Sequence, residues 1–258
     1  MTLIQSERRG PAVVLTFNRP DKLNALSTSM LNELERGLDE AEGDLDVRAV
    51  ILTGAGEKAF VAGADIGEYA EQDEEAFGEY QRYSRRLFTR IDRFTKPVVG
   101  AVNGYALGGG FEIALCCDVL IASSNARFGL PEGLLGLSPG GGGTQRLTRA
   151  AGPFVASDLL LSARRLSAED AFRLGLVAEV VDLERLMETA LAKAEAMAKI
   201  APLATTEMLR LIEVAGDVEL EEGLTVEQSA LARLRASADA AEGIDAFVNK
   251  REPKFRGA

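Results

Sequence analysis

An α/β core reaching to about residue 195, followed by a helical C-terminal region over 196–258, is the fold class the sequence predicts, and three observations predict it. Short apolar runs alternate with helical patterns through the first half of the chain. Strand signals almost vanish after about residue 142. Of the 258 residues, 47% are apolar and 27% charged, ample for one sizeable core with an appendage.

The elements follow in order. "AVVLTFN" at 12–18 and "AVILTG" at 49–54 are apolar runs of strand length, and "SMLNELERGLDEAE" at 29–42 between them has helical spacing. Together they make a βαβ rhythm. Phe77, Tyr80, Ser84, Leu87, Ile91 and Phe94 recur three or four apart and predict a long amphipathic helix. "PVVGAVN" from 97 predicts a strand, and the glycine turn after it leads into a short helix from about 109 and the strand "VLIAS". Beyond 142 only "LVAEVVD" has strand character. The remainder predicts four or five helices, closing with "GLTVEQSALARLRASADAAEGIDAFVNK".

Composition removes whole classes of chemistry. The chain has no histidine, which excludes Ser-His-Asp and Cys-His catalysis, histidine metal sites and a histidine general base. Proton transfer would then fall to carboxylates before Tyr, Lys or Cys. A net charge of −11 argues against a nucleic-acid partner, which needs clustered Lys and Arg. The tail "NKREPKFRGA" is locally basic and is either a solubilising terminus or an anion contact. The longest uncharged run, 97–111, is interrupted by glycines and is shorter than the roughly 20 apolar residues of a membrane helix, so no membrane partner is expected. "MTLIQSERRG" lacks the apolar centre of a secretory signal, and the adjacent Cys116 and Cys117 offer no disulfide framework; a cytoplasmic location is expected.

Three glycine-rich stretches compete as sites. "ILTGAGEKAF" imitates a dinucleotide fingerprint, but Gly63 and Gly67 fall where its phosphate-capping helix should run. "SPGGGGTQRL" lacks the lysine of a phosphate loop and predicts a flexible turn in which Thr144 caps a helix. "NGYALGGGFE" is different. Consecutive glycines between a buried strand and a helix start let a ligand lie on bare backbone beside unpaired N–H groups, which suits developing negative charge on an oxygen. Glu112 follows at once, in a run where Asp118 is the only other charge between Lys96 and Arg127. A carboxylate in an apolar surround costs several kcal/mol unless it is paired or neutralised. Glu112 is therefore either a helix-capping glutamate or a chemical one. Glu132, in "FGLPEGLLG", is a second carboxylate among apolar neighbours; alone, Pro-Glu also opens ordinary exposed helices.

"FVAGADI", "KPVVGAVNGYALGGGFEIALCCDVLIAS", "ARFGLPEGLLGLSPGGGGTQRL" and "SAEDAFRLGLVAEVV", in this order, resemble the enoyl-CoA hydratase (crotonase) family nearly end to end. The resemblance implies a crotonase-like spiral of ββα units, with the helical C-terminal region serving trimerisation and the assembly a trimer or a hexamer built as a dimer of trimers. It implies hydration of a trans-2-enoyl-CoA with Glu112 and Glu132 as the catalytic pair. Ala64 and Gly109 would supply the backbone N–H groups that bind the thioester oxygen. No separate cofactor is implied, since coenzyme A is part of the substrate. Lys22, Leu23, Ala62, Asp65, Ile66, Gly108, Pro131, Phe247 and Lys250 are the implied substrate contacts, with Asp65 equally readable as a turn or cap and the C-terminal residues often supplied by a neighbouring subunit. A Δ3,Δ2-enoyl-CoA isomerase or another acyl-CoA enzyme of the same fold is the alternative, and a catalytically idle CoA- or RNA-binding relative is the alternative from another class. Gly67 and Phe111 depart from common family residues, a lysine and a smaller side chain respectively.

Overall fold

In the computed structural model, which describes residues 2–258, the chain builds two sheets from repeated ββα units. The larger sheet takes strands β1 (Ile4–Arg9), β2 (Ala12–Phe17), β3 (Ala49–Gly54), β5 (Val98–Val102), β7 (Val119–Ser123) and β10 (Glu179–Val181), in that spatial order. Only β1 is antiparallel to its neighbour. Such a sheet is covered on both faces, which is why "AVILTG" reads as an unbroken apolar run and every residue of it is buried.

The smaller sheet orders β4 (Ala59–Val61), β6 (Tyr105–Leu107), β8 (Arg127–Gly129) and β9 (Leu166–Ser167), the first three mutually parallel. A strand of the large sheet, a short strand of the small one and then a helix recur three times. The helices are α2 (Ile66–Glu71) with α3 (Glu74–Asp92) after β4, α4 (Gly109–Ala114) after β6, and α5 (Gly143–Ala151) after β8. This is the spiral the resemblance implied, and periodicity alone did not separate it from a doubly wound sheet.

Packing fixes the arrangement. The helix α1 (Thr28–Gly43) is capped by Ser27, whose hydroxyl accepts from the Met30 N–H, and it buries Met30, Leu31, Leu34 and Leu38 against the large sheet's core. Edge-to-face rings of Phe17 and Phe60, 5.5 Å apart, join the two sheets. On the opposite face α8 (Leu186–Ala198) lays Leu186, Ala190 and Ala194 over Val14, Ile51, Val99 and Ile121. Two alanines one turn apart let the helix lie close to the strands. Buried Asn103 donates to the carbonyls of Gly54, Gly56 and Ala59 and so closes the 54–59 loop. Strand β4, not a helix, follows that loop, which removes the dinucleotide fingerprint.

Helices α6 (Pro153–Ser162) and α7 (Ala168–Arg173) flank β9, and α9 (Pro202–Ala215), α10 (Leu220–Arg235) and α11 (Ala238–Val248) close the chain. Buried Asp239 accepts from the Arg256 and Gly257 N–H groups and pins the tail. Among the described residues no helix is long and apolar enough to cross a membrane.

Candidate active site

The parallel strands β4, β6 and β8 end side by side, and the segments leaving them meet at one cavity of about 540 Å³. Ala62, Gly63, Ala64 and Ile66 follow β4, Gly108 and Gly109 follow β6, and Pro131 and Glu132 follow β8. One face of α3 and the 137–141 loop complete the walls.

The two glycine-region N–H groups are free for geometric reasons. Ala64 sits in a parallel bridge with Leu26, in which the Leu26 N–H donates to Gly63 and the Asp65 N–H donates to Leu26, both at 2.8 Å. The bonds flank Ala64, which lines the cavity, and neither of them uses its own N–H. Gly109 opens α4, where first-turn N–H groups have no partner within the helix. Gly108 before it takes φ 52° and ψ −126°, a conformation that side chains resist, and a Cβ on Gly110 would collide with the Val61 carbonyl. Gly110 is thus required by the close approach of α4 to β4, and Gly108 by its backbone conformation.

Glu112 is 4% exposed and does not cap its helix. Its Oε1 accepts from the N–H groups of Gly141 and Gly143, each at 2.8 Å. "SPGGGGTQRL" is therefore not a mere flexible turn: it is the cradle of Glu112. The cap assigned to Thr144 is also corrected, because Gly142, with φ 113°, is the N-cap of α5 and Thr144 lies inside the helix. Arg146 holds this loop by donating to the Gly141 carbonyl while pairing with Asp92 at 2.9 Å. Burial pushes the Glu112 carboxyl up, opposed by the Gly143 and Gly141 N–H groups and by Arg146.

Glu132 begins a 3-10 turn, Glu132–Leu135, directly after Pro131. Among the described residues its Oε2 has no hydrogen-bond partner although it is buried. Burial first, and the charge of Glu112 second, raise its carboxyl to about 7. Two carboxylates face one cavity, one held by backbone donors and the other bare. Such a pair supplies a base and an acid near neutrality.

A family model described as enoyl-CoA hydratase/isomerase matches residues 7–258. The chain belongs to the enoyl-CoA hydratase/isomerase family. It is 43% identical to a short-chain-enoyl-CoA hydratase of Clostridium acetobutylicum, over 95% of this chain and 94% of the relative. It is 42% identical to a 2,3-dehydroadipyl-CoA hydratase of Escherichia coli, over 97% of each. The crystal structure of an enoyl-CoA hydratase from Bacillus anthracis superposes with a TM-score of 0.96 at 38% identity, covering 99% of this chain and 100% of that one. The fold of this hydratase/isomerase family member is accordingly the crotonase fold.

Of the substrate contacts that the family resemblance implied, Ala62, Ile66, Gly108 and Pro131 line the cavity beside Ala64, Gly109, Glu112 and Glu132. Leu23, at φ 52°, accepts the Ala62 N–H through its carbonyl but faces a neighbouring groove with Gly56 and Lys58; Lys22 is exposed just before it. Phe247 is 86% exposed near the end of α11, and Lys250 follows it; neither lines the cavity within one chain. Asp65 caps α2 by accepting from the Gly67 N–H and pairs with Arg19 at 2.7 Å, and these partners hold its carboxyl below the usual range. Asp65→Ala is expected to remove about 1 kcal/mol of capping plus the ion pair. Tm should fall by a few degrees, at about 2–4 °C per kcal/mol, while KM for crotonyl-CoA stays within about twofold. A large KM rise at unchanged Tm would make Asp65 a ligand contact.

Residues that the sequence did not assign to a site complete it. Tyr69 of α2 stacks edge-to-face on Phe77 and Tyr80 at 5.1 and 5.2 Å, and its hydroxyl accepts from Gln81 Nε2. Phe77, Tyr80, Ser84 and Phe88 line the cavity, so the polar Ser84 in the α3 stripe was the one hint that this face was more than core.

Proposed function

We propose that this chain is an enoyl-CoA hydratase, adding water syn across the double bond of a trans-2-enoyl-CoA to give a 3-hydroxyacyl-CoA. The observation that carries the reading is the pair of carboxylates facing one cavity beside two unpaired backbone N–H groups. Family relatives named hydratases at 38–43% identity support it.

The thioester oxygen rests on the Ala64 and Gly109 N–H groups. Glu112, ionised and fixed through Oε1, takes a proton from the water it holds with Oε2. The water oxygen bonds to Cβ, the π electrons move onto the thioester oxygen, and the enolate is held by the two donors. Protonated Glu132 then gives its proton to Cα as the carbonyl reforms. Each oxyanion donor typically contributes about 3 kcal/mol toward the barrier. The coenzyme A portion leaves past Ala62 and Ile66 toward Leu23 and Lys22. Phe247 and Lys250 would reach it from a neighbouring subunit of a homotrimer or hexamer, assembled through the helical region 196–258. The exposed Ile212, Leu220 and Leu231 of that region are consistent with a face that another subunit covers.

The test is the ultraviolet absorbance of crotonyl-CoA, whose conjugated band disappears on hydration. Wild-type protein is expected to bleach it. Gly109→Pro removes one donor at a helix position that tolerates proline, and kcat should fall by roughly 10²–10³. If the wild type leaves crotonyl-CoA untouched and instead creates the band from a 3-enoyl-CoA, the isomerase alternative replaces the hydratase.

A further inference from the structure

The acyl end of the cavity carries charges that the reaction does not use. Arg82 and Arg85 both line it, from successive turns of α3. Among the described residues neither has a carboxylate within ion-pair distance, although the protein holds 40 acids against 29 bases and most other arginines on helices are paired. The next arginine, Arg86, lies instead over the Tyr83 ring at 5.1 Å. Tyr69 lines the same cavity; its hydroxyl accepts from Gln81 and keeps its own proton to donate. The cavity's acids are Glu112 and Glu132 alone among the described residues.

The direction of the acyl chain follows from the chemistry just proposed. Cβ must lie at Glu112, which sits against Gly141, and a Cβ on Gly141 would collide with the Phe88 ring of α3. Carbons beyond Cβ therefore run along α3, from Phe88 past Ser84 toward Gln81, whose amide lies against Gly140. The sulfur leaves at the opposite end of the reacting unit, toward Ala62 and Ile66. A purely hydrocarbon chain would end among unpaired cations and a free hydroxyl donor. Arg82 and Arg85 are exposed residues at the cavity's edge, and their guanidinium groups match carboxylates in a planar fork.

We propose that Arg82 and Arg85, with the Tyr69 hydroxyl, form a subsite for a carboxylate at the far end of the acyl chain, so that the preferred substrates are enoyl-CoA thioesters of dicarboxylic acids. The proposal rests on the hydratase reading and names its substrate class.

Three thioesters test it: crotonyl-CoA, trans-2-hexenoyl-CoA, and the six-carbon trans-2-enoyl-CoA that ends in a carboxylate. The last two share length and coenzyme A, so phosphate contacts cancel in their ratio. The wild type is expected to favour the carboxylate over the methyl terminus at least tenfold in kcat/KM at low salt, with the preference shrinking as salt screens it. Arg82→Gln with Arg85→Gln should cut that ratio tenfold or more, mostly through KM. A ratio that the double variant leaves intact, a parallel loss with both six-carbon substrates, or a wild type that prefers the methyl terminus would each overturn the subsite while leaving the hydratase standing. A wild type inert toward all three, crotonyl-CoA included, would overturn both.

Discussion

Glu112→Gln is expected to lower kcat for crotonyl-CoA by roughly 10²–10⁴, the range that positioned acid–base groups contribute, with little change in Tm. The amide oxygen can still accept from the Gly141 and Gly143 N–H groups, so the cradle survives while the base is lost. Glu112→Ala would be a poorer test. It orphans two buried donors at about 1–3 kcal/mol each and would loosen the 137–141 wall along with the chemistry. Paired kinetic and thermal measurements separate the two effects. A glutamine variant within tenfold of wild type would remove Glu112 from the role of base.

The second large effect belongs to Glu132 and depends on pH. With its carboxyl raised to about 7, Glu132 is protonated below that pH; as the proposed donor to Cα it should make kcat/KM fall as pH rises through about 7. A fall at low pH marks protonation of Glu112. Glu132→Gln should abolish the alkaline fall together with most activity, again by roughly 10²–10⁴. Stability should move the other way. A carboxyl whose folded pKa exceeds its unfolded value of about 4.3 contributes stability that is complete below that pH and lost as pH rises through the folded value. At pH 8 the glutamine variant, which has no buried charge to desolvate, should melt above the wild type. Below about pH 4.3, where both forms are neutral, the gap should close. Thermal melts of the two proteins at both pH values check the sign, and a variant that melts lower at pH 8 would mean the Glu132 charge is compensated in the folded state.

The inner strands of the large sheet were legible in the sequence because buried parallel strands leave unbroken apolar runs, and "AVVLTF", "AVILTG" and "VLIAS" fall on β2, β3 and β7; the exposed antiparallel edge strand β1 left no such run and was missed. The small sheet was not. β4, β6 and β8 have three residues each and β9 two, too few for an alternation to show, yet these strands deliver Ala64, Gly109 and Glu132. Of these, Ala64 entered only through the resemblance to a known family, whereas the triple glycine and Glu132 stood out by themselves but not as neighbours. Glu112 was visible as a charge in an apolar run, but the reason it is tolerated was hidden, since its partners are backbone N–H groups 29 and 31 residues away. Backbone donors leave no trace in side-chain identity, and a run of glycines reads as flexibility whether or not it is held. Arg82 and Arg85 were legible as residues and illegible as a subsite, because helical periodicity gives a face and not what that face encloses.

The saturation of one oxygen of Glu112 has a stereochemical consequence. With Oε1 committed to Gly141 and Gly143, the carboxylate offers a single oxygen, so in the proposed hydration, with the thioester oxygen held on Ala64 and Gly109, hydroxide would be delivered to one face of the planar enoyl group. The new carbinol carbon is then formed with one handedness. By microscopic reversibility such a site would dehydrate only that enantiomer of the 3-hydroxyacyl thioester, since its mirror image, placed with the same carbonyl contacts, would present hydrogen where the leaving hydroxyl should be.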